Sequence, residues 1–145
     1  MNFITDRLAT GNYKDAFNNK FTYVLSLVSD PEIMDCIKKG NLGKFGRDIC
    51  YVEDGDYNTF YAAIDKYTET VMYHLRRGFV LIHCEAGISR SPAFAISVLV
   101  RSGFSLSGAE NYVKEKVPFC APSDAFIKAI KNYYKLDMLE DRFRD

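Results

Sequence analysis

The sequence carries no excess charge: 19 Lys and Arg stand against 19 Asp and Glu, a formal net charge of zero. Binding to nucleic acid or to an anionic membrane surface draws on a basic surplus, so neither partner is expected. Long hydrophobic runs are missing as well. No apolar stretch approaches the ~20 residues that span a bilayer. The opening MNFITDRLAT holds no apolar core of signal-peptide length, because Asp6 and Arg7 interrupt it. Cysteine is sparse. Cys36, Cys50, Cys84 and Cys120 fall at spacings that match neither a zinc knuckle nor a C-x-x-C redox pair. Reduced thiols in a cytoplasmic compartment are the expectation, with nuclear access left open. Internal repeats and low-complexity tracts are absent too.

What is present is ordinary globular material. The 145 residues suit one domain, 1–145, of 48% hydrophobic and 26% charged composition. A chain of this length buries roughly 70% of its unfolded surface, so it needs no disulfide or metal to fold. Ten Tyr and eleven Phe argue against disorder.

Short runs rich in β-branched and aromatic residues predict strands at Phe21–Val28, Ile49–Val52 and Phe79–His83, with a weaker one around Ile4–Thr10. Pro31 and Gly40 bracket a short helix over 31–39. Phe60, Ile64, Tyr67, Val71 and Leu75 make one apolar stripe over 58–77, closed by Gly78. Residues 91–102 are apolar nearly all round, as in a buried helix. Ser107 and Glu110 read as a capping box, and Ser123 as the cap of a last helix carrying Phe126, Ile130 and Tyr134. GNLGKFGR (40–47) reads as a flexible loop, D-G-D at 54–56 as a turn, and DRFRD at the end as a solvated tail. This order predicts an α/β fold: a central, mainly parallel sheet of about five strands with helices on both faces.

The most informative stretch is VLIHCEAGISRSPAFAI, residues 80–96. Four apolar residues run into His83 and Cys84, which places the cysteine at the carboxyl end of a strand, where α/β folds bind ligands. Gly87 can take the positive φ of a tight cradle. Successive loop amides, joined by the free N–H groups of the next helix, form an anion site. Arg90 is the sharpest clue. A cation at a helix N-terminus is opposed by the macrodipole, typically by ~0.3–1 kcal/mol. It makes sense there if a dianion sits between its planar fork and the amides. Those surroundings favour Cys84 as a thiolate nucleophile on the floor of a phosphate cradle. A lone strand-end cysteine is usually a small buried hydrophobe. The conjunction of His83, Cys84, Gly87, Arg90 and Ser91 within nine positions is what points beyond that.

The same stretch, H-C-E-A-G-I-S-R-S, resembles the signature loop of the cysteine-based protein phosphatases, and its ending resembles the dual-specificity branch most. LATGNYKDA (8–16), YVLSLV (23–28), ICYVED (49–54) and APSDAFI (121–127) resemble other segments of that family, while 31–47 match none. The resemblance implies a phosphocysteine intermediate at Cys84. It implies equatorial oxygens held by Arg90 and the amides of Glu85, Ala86, Gly87, Ile88, Ser89 and Arg90. Ser91 would steady the departing thiolate, and His83 would organise the loop and promote thiolate formation. No metal and no cofactor is implied.

A proton donor for the leaving oxygen is also required. The acidic cluster ahead of the catalytic strand is Glu53, Asp54 and Asp56, and acidic turn residues are mostly turn formers. Asp54 matches the family's general-acid position after its V-x-D strand end, with Asp56 in reserve. The short chain leaves little room for the extra recognition loop of strict tyrosine phosphatases, so a phosphoprotein substrate carrying phosphotyrosine or phosphoserine/threonine is expected. An RNA 5′-triphosphatase, a phosphoinositide phosphatase and a non-catalytic phosphate-binding module are the alternatives, and the oligomeric state is left open.

Overall fold

The structure, a computed structural model, describes residues 1–17, 20–28 and 46–136. Among the described residues five short strands pair: β1 (Asn2–Phe3), β2 (Leu8–Gly11), β3 (Tyr23–Ser26), β4 (Gly46–Ile49) and β5 (Val80–His83), with β3 and β5 inside the runs expected for them. Their order is β1-β2-β5-β3-β4. The β1–β2 pair is antiparallel and the others are parallel. Only the second half of the weak run around Ile4–Thr10 is a strand, β2; Ile4 N–H donates to Leu8 O (2.7 Å) and turns the chain between β2 and β1, which lies just ahead of the run. The run expected at Ile49–Val52 pairs earlier, over Gly46–Ile49. Cys50 N–H makes the last bond to Ser26 O (2.9 Å), and the chain then leaves the sheet. The helix expected over 31–39, residues 40–45 of the expected loop, Cys36 and the terminal DRFRD lie outside the described residues.

The described residues also hold four α-helices: α1 (Tyr57–Leu75), α2 (Arg90–Arg101), α3 (Leu106–Lys116) and α4 (Asp124–Tyr133). The buried stripe of α1 is Phe60, Ala63, Ile64, Thr68 and Val71, with Tyr67 and Leu75 half-buried at its edge. Every residue of α2 from Arg90 through Val100 is buried, as its all-round apolarity predicts. Asp56 caps α1, accepting from Thr59 N–H, and Ser123 caps α4, accepting from Ala125 N–H. The capping box expected at Ser107 is not the start of α3. Ser105 adopts the extended backbone a cap needs and accepts from Gly108 N–H, which leaves Ser107 inside the first turn. Among the described residues no helix is long and apolar enough to cross a membrane.

Alternation along the strands sends side chains to two different cores. Leu8, Tyr23, Leu25, Val80 and Ile82 join the main core with buried residues of all four helices. There Phe60 stacks on Phe126 (4.3 Å) and meets Phe94 edge-on (6.3 Å), tying α1, α4 and α2 together. Such pairs contribute about 0.5–1.5 kcal/mol each beyond area burial. Ala9, Phe21, Val24 and Leu81 form a small cluster on the opposite face. The site is built where β5 ends and α2 begins.

Candidate active site

β5 stops at His83, and alternation decides what its last residues meet. His83 shares a face with Leu81 of the small cluster, while Cys84 turns into the main core below α2. Cys84 is 2% exposed. Its Sγ accepts from Gly87 N–H (3.2 Å) and Ser91 N–H (3.4 Å) and lies 3.3 Å from Ser91 Oγ. The Cys84 N–H donates to Gly11 O (3.2 Å), and the Ser91 hydroxyl donates to the same carbonyl (3.3 Å). The sulfur therefore sits at the bottom of a turn whose amides point at it.

The turn from Glu85 to Ser89 is held from outside. Gly87 has φ +74°, and a Cβ there would press within 3.1 Å of the Gly11 backbone, so both conformation and space demand glycine. Glu85 O accepts from Tyr13 N–H (3.1 Å), and Ile88 O accepts from Ala121 N–H (2.8 Å). The Ser89 hydroxyl accepts from Ser123 N–H (3.1 Å). Ser89 occupies the N-cap position of α2 but makes no side-chain cap, unlike the residues at the same position of α1, α3 and α4. In place of a side-chain cap, the Ser91 N–H of the first turn of α2 is aimed at Cys84 Sγ, so this helix start faces the sulfur. Glu85, Ala86 and Ile88 are exposed at the rim, whereas Gly87 is buried.

Arg90 is the first residue of α2 and only 7% exposed. Its Nη1 donates to Val52 O (3.2 Å), and Nη2 stands 4.0 Å from the exposed Glu85 carboxylate. A buried guanidinium with so little acid beside it is costly unless an anion joins it. The bond to Val52 also draws the following turn to the cradle. Asp54 lies two residues beyond Val52, exposed, next to Gly55 at φ +78°. Asp56, by contrast, is committed as the cap of α1 (2.9 Å to Thr59 N), and that bond holds its carboxyl below the usual range. Glu53 is exposed, its N–H donating to Thr59 Oγ1 (3.1 Å).

His83 is fully buried, and desolvation pushes its imidazole down to about 4. It is uncharged at neutral pH, so any help to the thiolate comes through hydrogen bonds and not through a positive charge. The structure brings His83, Cys84, Arg90, Ser91 and the 85–89 turn together and puts Asp54 on the neighbouring turn. It adds Gly11, Val52, Ala121 and Ser123, which hold these residues. All four fall in segments that resemble the family, but nothing in the sequence marks the Val52 carbonyl as a partner of Arg90.

The family model for the dual specificity phosphatase catalytic domain matches residues 9–136. This chain belongs to the dual-specificity phosphatase family. A protein of Invertebrate iridescent virus 6 that carries a tyrosine-phosphatase name is 34% identical over 84 residues, 57% of this chain and 59% of that protein. Human dual specificity protein phosphatase 16 is 44% identical over 59 residues, 40% of this chain and 9% of that protein. The chain thus spans less than two thirds of each of these relatives. The crystal structure of the human tyrosine phosphatase-like serine/threonine/tyrosine-interacting protein superposes with TM-score 0.76 at 22% identity, covering 93% of this chain and 95% of that one. In this dual-specificity phosphatase fold, the stretch that resembles the family's signature loop is the cradle around Cys84.

Proposed function

We propose that the chain is a metal-independent phosphatase that hydrolyses phosphotyrosine and phosphoserine/threonine in proteins through a phosphocysteine. The observation that carries this reading is a buried sulfur facing two backbone amides, at the start of a helix whose first residue is a buried arginine ion-paired with nothing nearer than the exposed Glu85 carboxylate at 4.0 Å among the described residues. In the first step the Cys84 thiolate attacks phosphorus, and the bond from phosphorus to the ester oxygen breaks. Asp54 gives that oxygen its proton, so the alcohol leaves neutral. Arg90 and the 85–90 amides hold the equatorial oxygens and stabilise the charge that a metal would otherwise balance. In the second step water attacks phosphorus, Asp54 takes its proton, and the S–P bond breaks. The Ser91 hydroxyl supports the sulfur as it departs. The products are the alcohol and inorganic phosphate, with no redox change.

The test compares kcat/KM in EDTA for an aryl phosphate, phosphotyrosine and phosphoserine/threonine peptides, a phosphoinositide and a 5′-triphosphorylated RNA. Hydrolysis of the aryl phosphate and both peptide classes, ahead of the lipid and the RNA, is expected. Binding of phosphopeptide without turnover would make the chain a phosphate-binding module, and preference for RNA or lipid would reassign the substrate. Dependence on added metal would overturn the mechanism.

A further inference from the structure

Behind the nucleophile, on the sheet face away from α2, three polar side chains lie in a row across three adjacent strands. The parallel register sets Ser26 of β3 beside His83 of β5 and Val24 beside Arg47 of β4, so Arg47, Ser26 and His83 share that face. Arg47 Nη1 is 3.4 Å from Ser26 Oγ, and Ser26 Oγ is 2.7 Å from His83 Nε2. His83 Nδ1 is 3.4 Å from the carbonyl oxygen of Cys84. Ser26 and His83 are both fully buried, and Arg47 is half-buried with Nη2 donating to Ala16 O (3.1 Å).

One assignment of protons satisfies every contact in the row. Arginine only donates and a carbonyl only accepts. Ser26 Oγ therefore accepts from Arg47 and turns its own proton on a bare His83 Nε2. The remaining imidazole proton sits on Nδ1 and donates to Cys84 O. The other tautomer would have Ser26 Oγ accept twice, which its two lone pairs permit, but would set the Nδ1 lone pair against the Cys84 carbonyl oxygen, and that contact decides. Double protonation would bury a cation near Arg47 and Arg90, with Asp15 the acid that opposes it, and desolvation alone disfavours that.

We infer that Ser26 and Arg47 are positioning residues for the nucleophile: they hold His83 in its Nδ1–H form, and that proton fixes the Cys84 carbonyl. The Cys84 peptide is then clamped on both sides, N–H to Gly11 O and C=O to His83 Nδ1. With its backbone fixed, the side chain keeps Sγ under the Gly87 and Ser91 amides. The catalytic meaning of this row rests on the phosphatase reading above; its geometry does not.

Imidazole ¹⁵N NMR reads the tautomer without any substrate. Wild-type His83 is expected with Nδ1 protonated and Nε2 bare between pH 5.5 and 8. Ser26→Ala and Arg47→Met are expected to populate the Nε2–H form and to slow alkylation of Cys84 by iodoacetate. Both should lower kcat at least about tenfold, as a shifted nucleophile does, with KM nearly unchanged. Arg47→Lys keeps one cationic donor and should lie between wild type and Arg47→Met. Should Ser26→Ala fail to fold, Arg47→Met, on a strand at the edge of the described sheet, carries the test alone. A wild-type Nε2–H tautomer, or variants with wild-type tautomer and kcat, would overturn the inference. The expected tautomers in a protein that hydrolyses no phosphoester would retire the phosphatase reading and leave the row standing.

Discussion

The turn that carries Cys84 and the turn that carries Asp54 meet through the bond from Arg90 Nη1 to Val52 O, yet they are built in opposite ways. In the first, Cys84, Gly87, Arg90 and Ser91 are buried, and Cys84, Glu85, Ile88 and Ser89 are tied to Gly11, Tyr13, Ala121 and Ser123. In the second, Glu53, Asp54 and Gly55 are exposed, and the ordering comes from Asp56 capping α1 at its far end. Under the proposed mechanism the difference follows from what each turn would do. A thiolate and a transferring phosphoryl group need fixed donors that do not reorganise during reaction. An acid that gives up a proton and recovers it from water benefits from contact with solvent.

The predictions test that division, beginning where the effect should be greatest. Cys84→Ser should abolish turnover while phosphate or phosphopeptide still binds, because Arg90 and the amides remain. Isothermal titration together with steady-state kinetics checks this, and residual activity above about a hundredth of wild type would mean another group attacks. Arg90→Lys keeps the charge but loses the planar fork and the bond to Val52. A large fall in kcat with an unchanged circular dichroism spectrum is expected. Near-normal kinetics would reduce Arg90 to a structural cation.

On the exposed side, Asp54→Asn should slow poor leaving groups by roughly 10²-fold or more and flatten the alkaline limb of the pH–rate profile, while an activated phenol suffers less. Asp56→Asn should lose little activity, because asparagine also caps helices. A Brønsted series on both variants decides, and the reverse ranking would move the acid to Asp56.

Two smaller effects probe the buried side. The folded value of His83 near 4 lies below its unfolded value near 6.5, so in that window the unfolded chain takes up a proton the fold refuses. Stability should therefore fall as pH drops from 6.5 toward 4, by on the order of 3 kcal/mol at most from this group. Urea midpoints at pH 7 and pH 4.5 should differ less in His83→Gln than in wild type. Finally, burial pushes the thiols of Cys50 and Cys120 up. Brief alkylation at pH 7 followed by mass spectrometry should mark Cys84 ahead of both, and equal labelling would remove the argument for a privileged thiolate.

The exposed turn also shows where sequence reading falls short. D-G-D announces a turn, but its two aspartates look alike; only the hydrogen bond from Thr59 N–H separates a cap from a free carboxyl. The shift of a strand from 49–52 to Gly46–Ile49 has a similar origin. Apolar residues Cys50 to Val52 match a strand pattern, but pairing stops where Ser26 supplies its last acceptor. Ser107 fits a capping motif as well as Ser105 does, and backbone geometry chose between them.

By itself the sequence determined where Cys84, Arg90 and the glycine between them sit, because strand end, turn and helix start are contiguous from His83 to Ser91 and each step is set by local backbone chemistry. It determined α2 as a buried helix for the same reason: eleven successive residues, Arg90 through Val100, have no polar face to turn outward except at the site. Tertiary structure alone decided what holds that loop in place. Gly11, Ser26, Arg47, Val52, Ala121 and Ser123 are distant along the chain and become neighbours of the loop through the strand order β2-β5-β3-β4 and the packing of α4. For Ser26 and Arg47 those bonds depend on register across strands, and a one-residue slip would send their side chains to the other face.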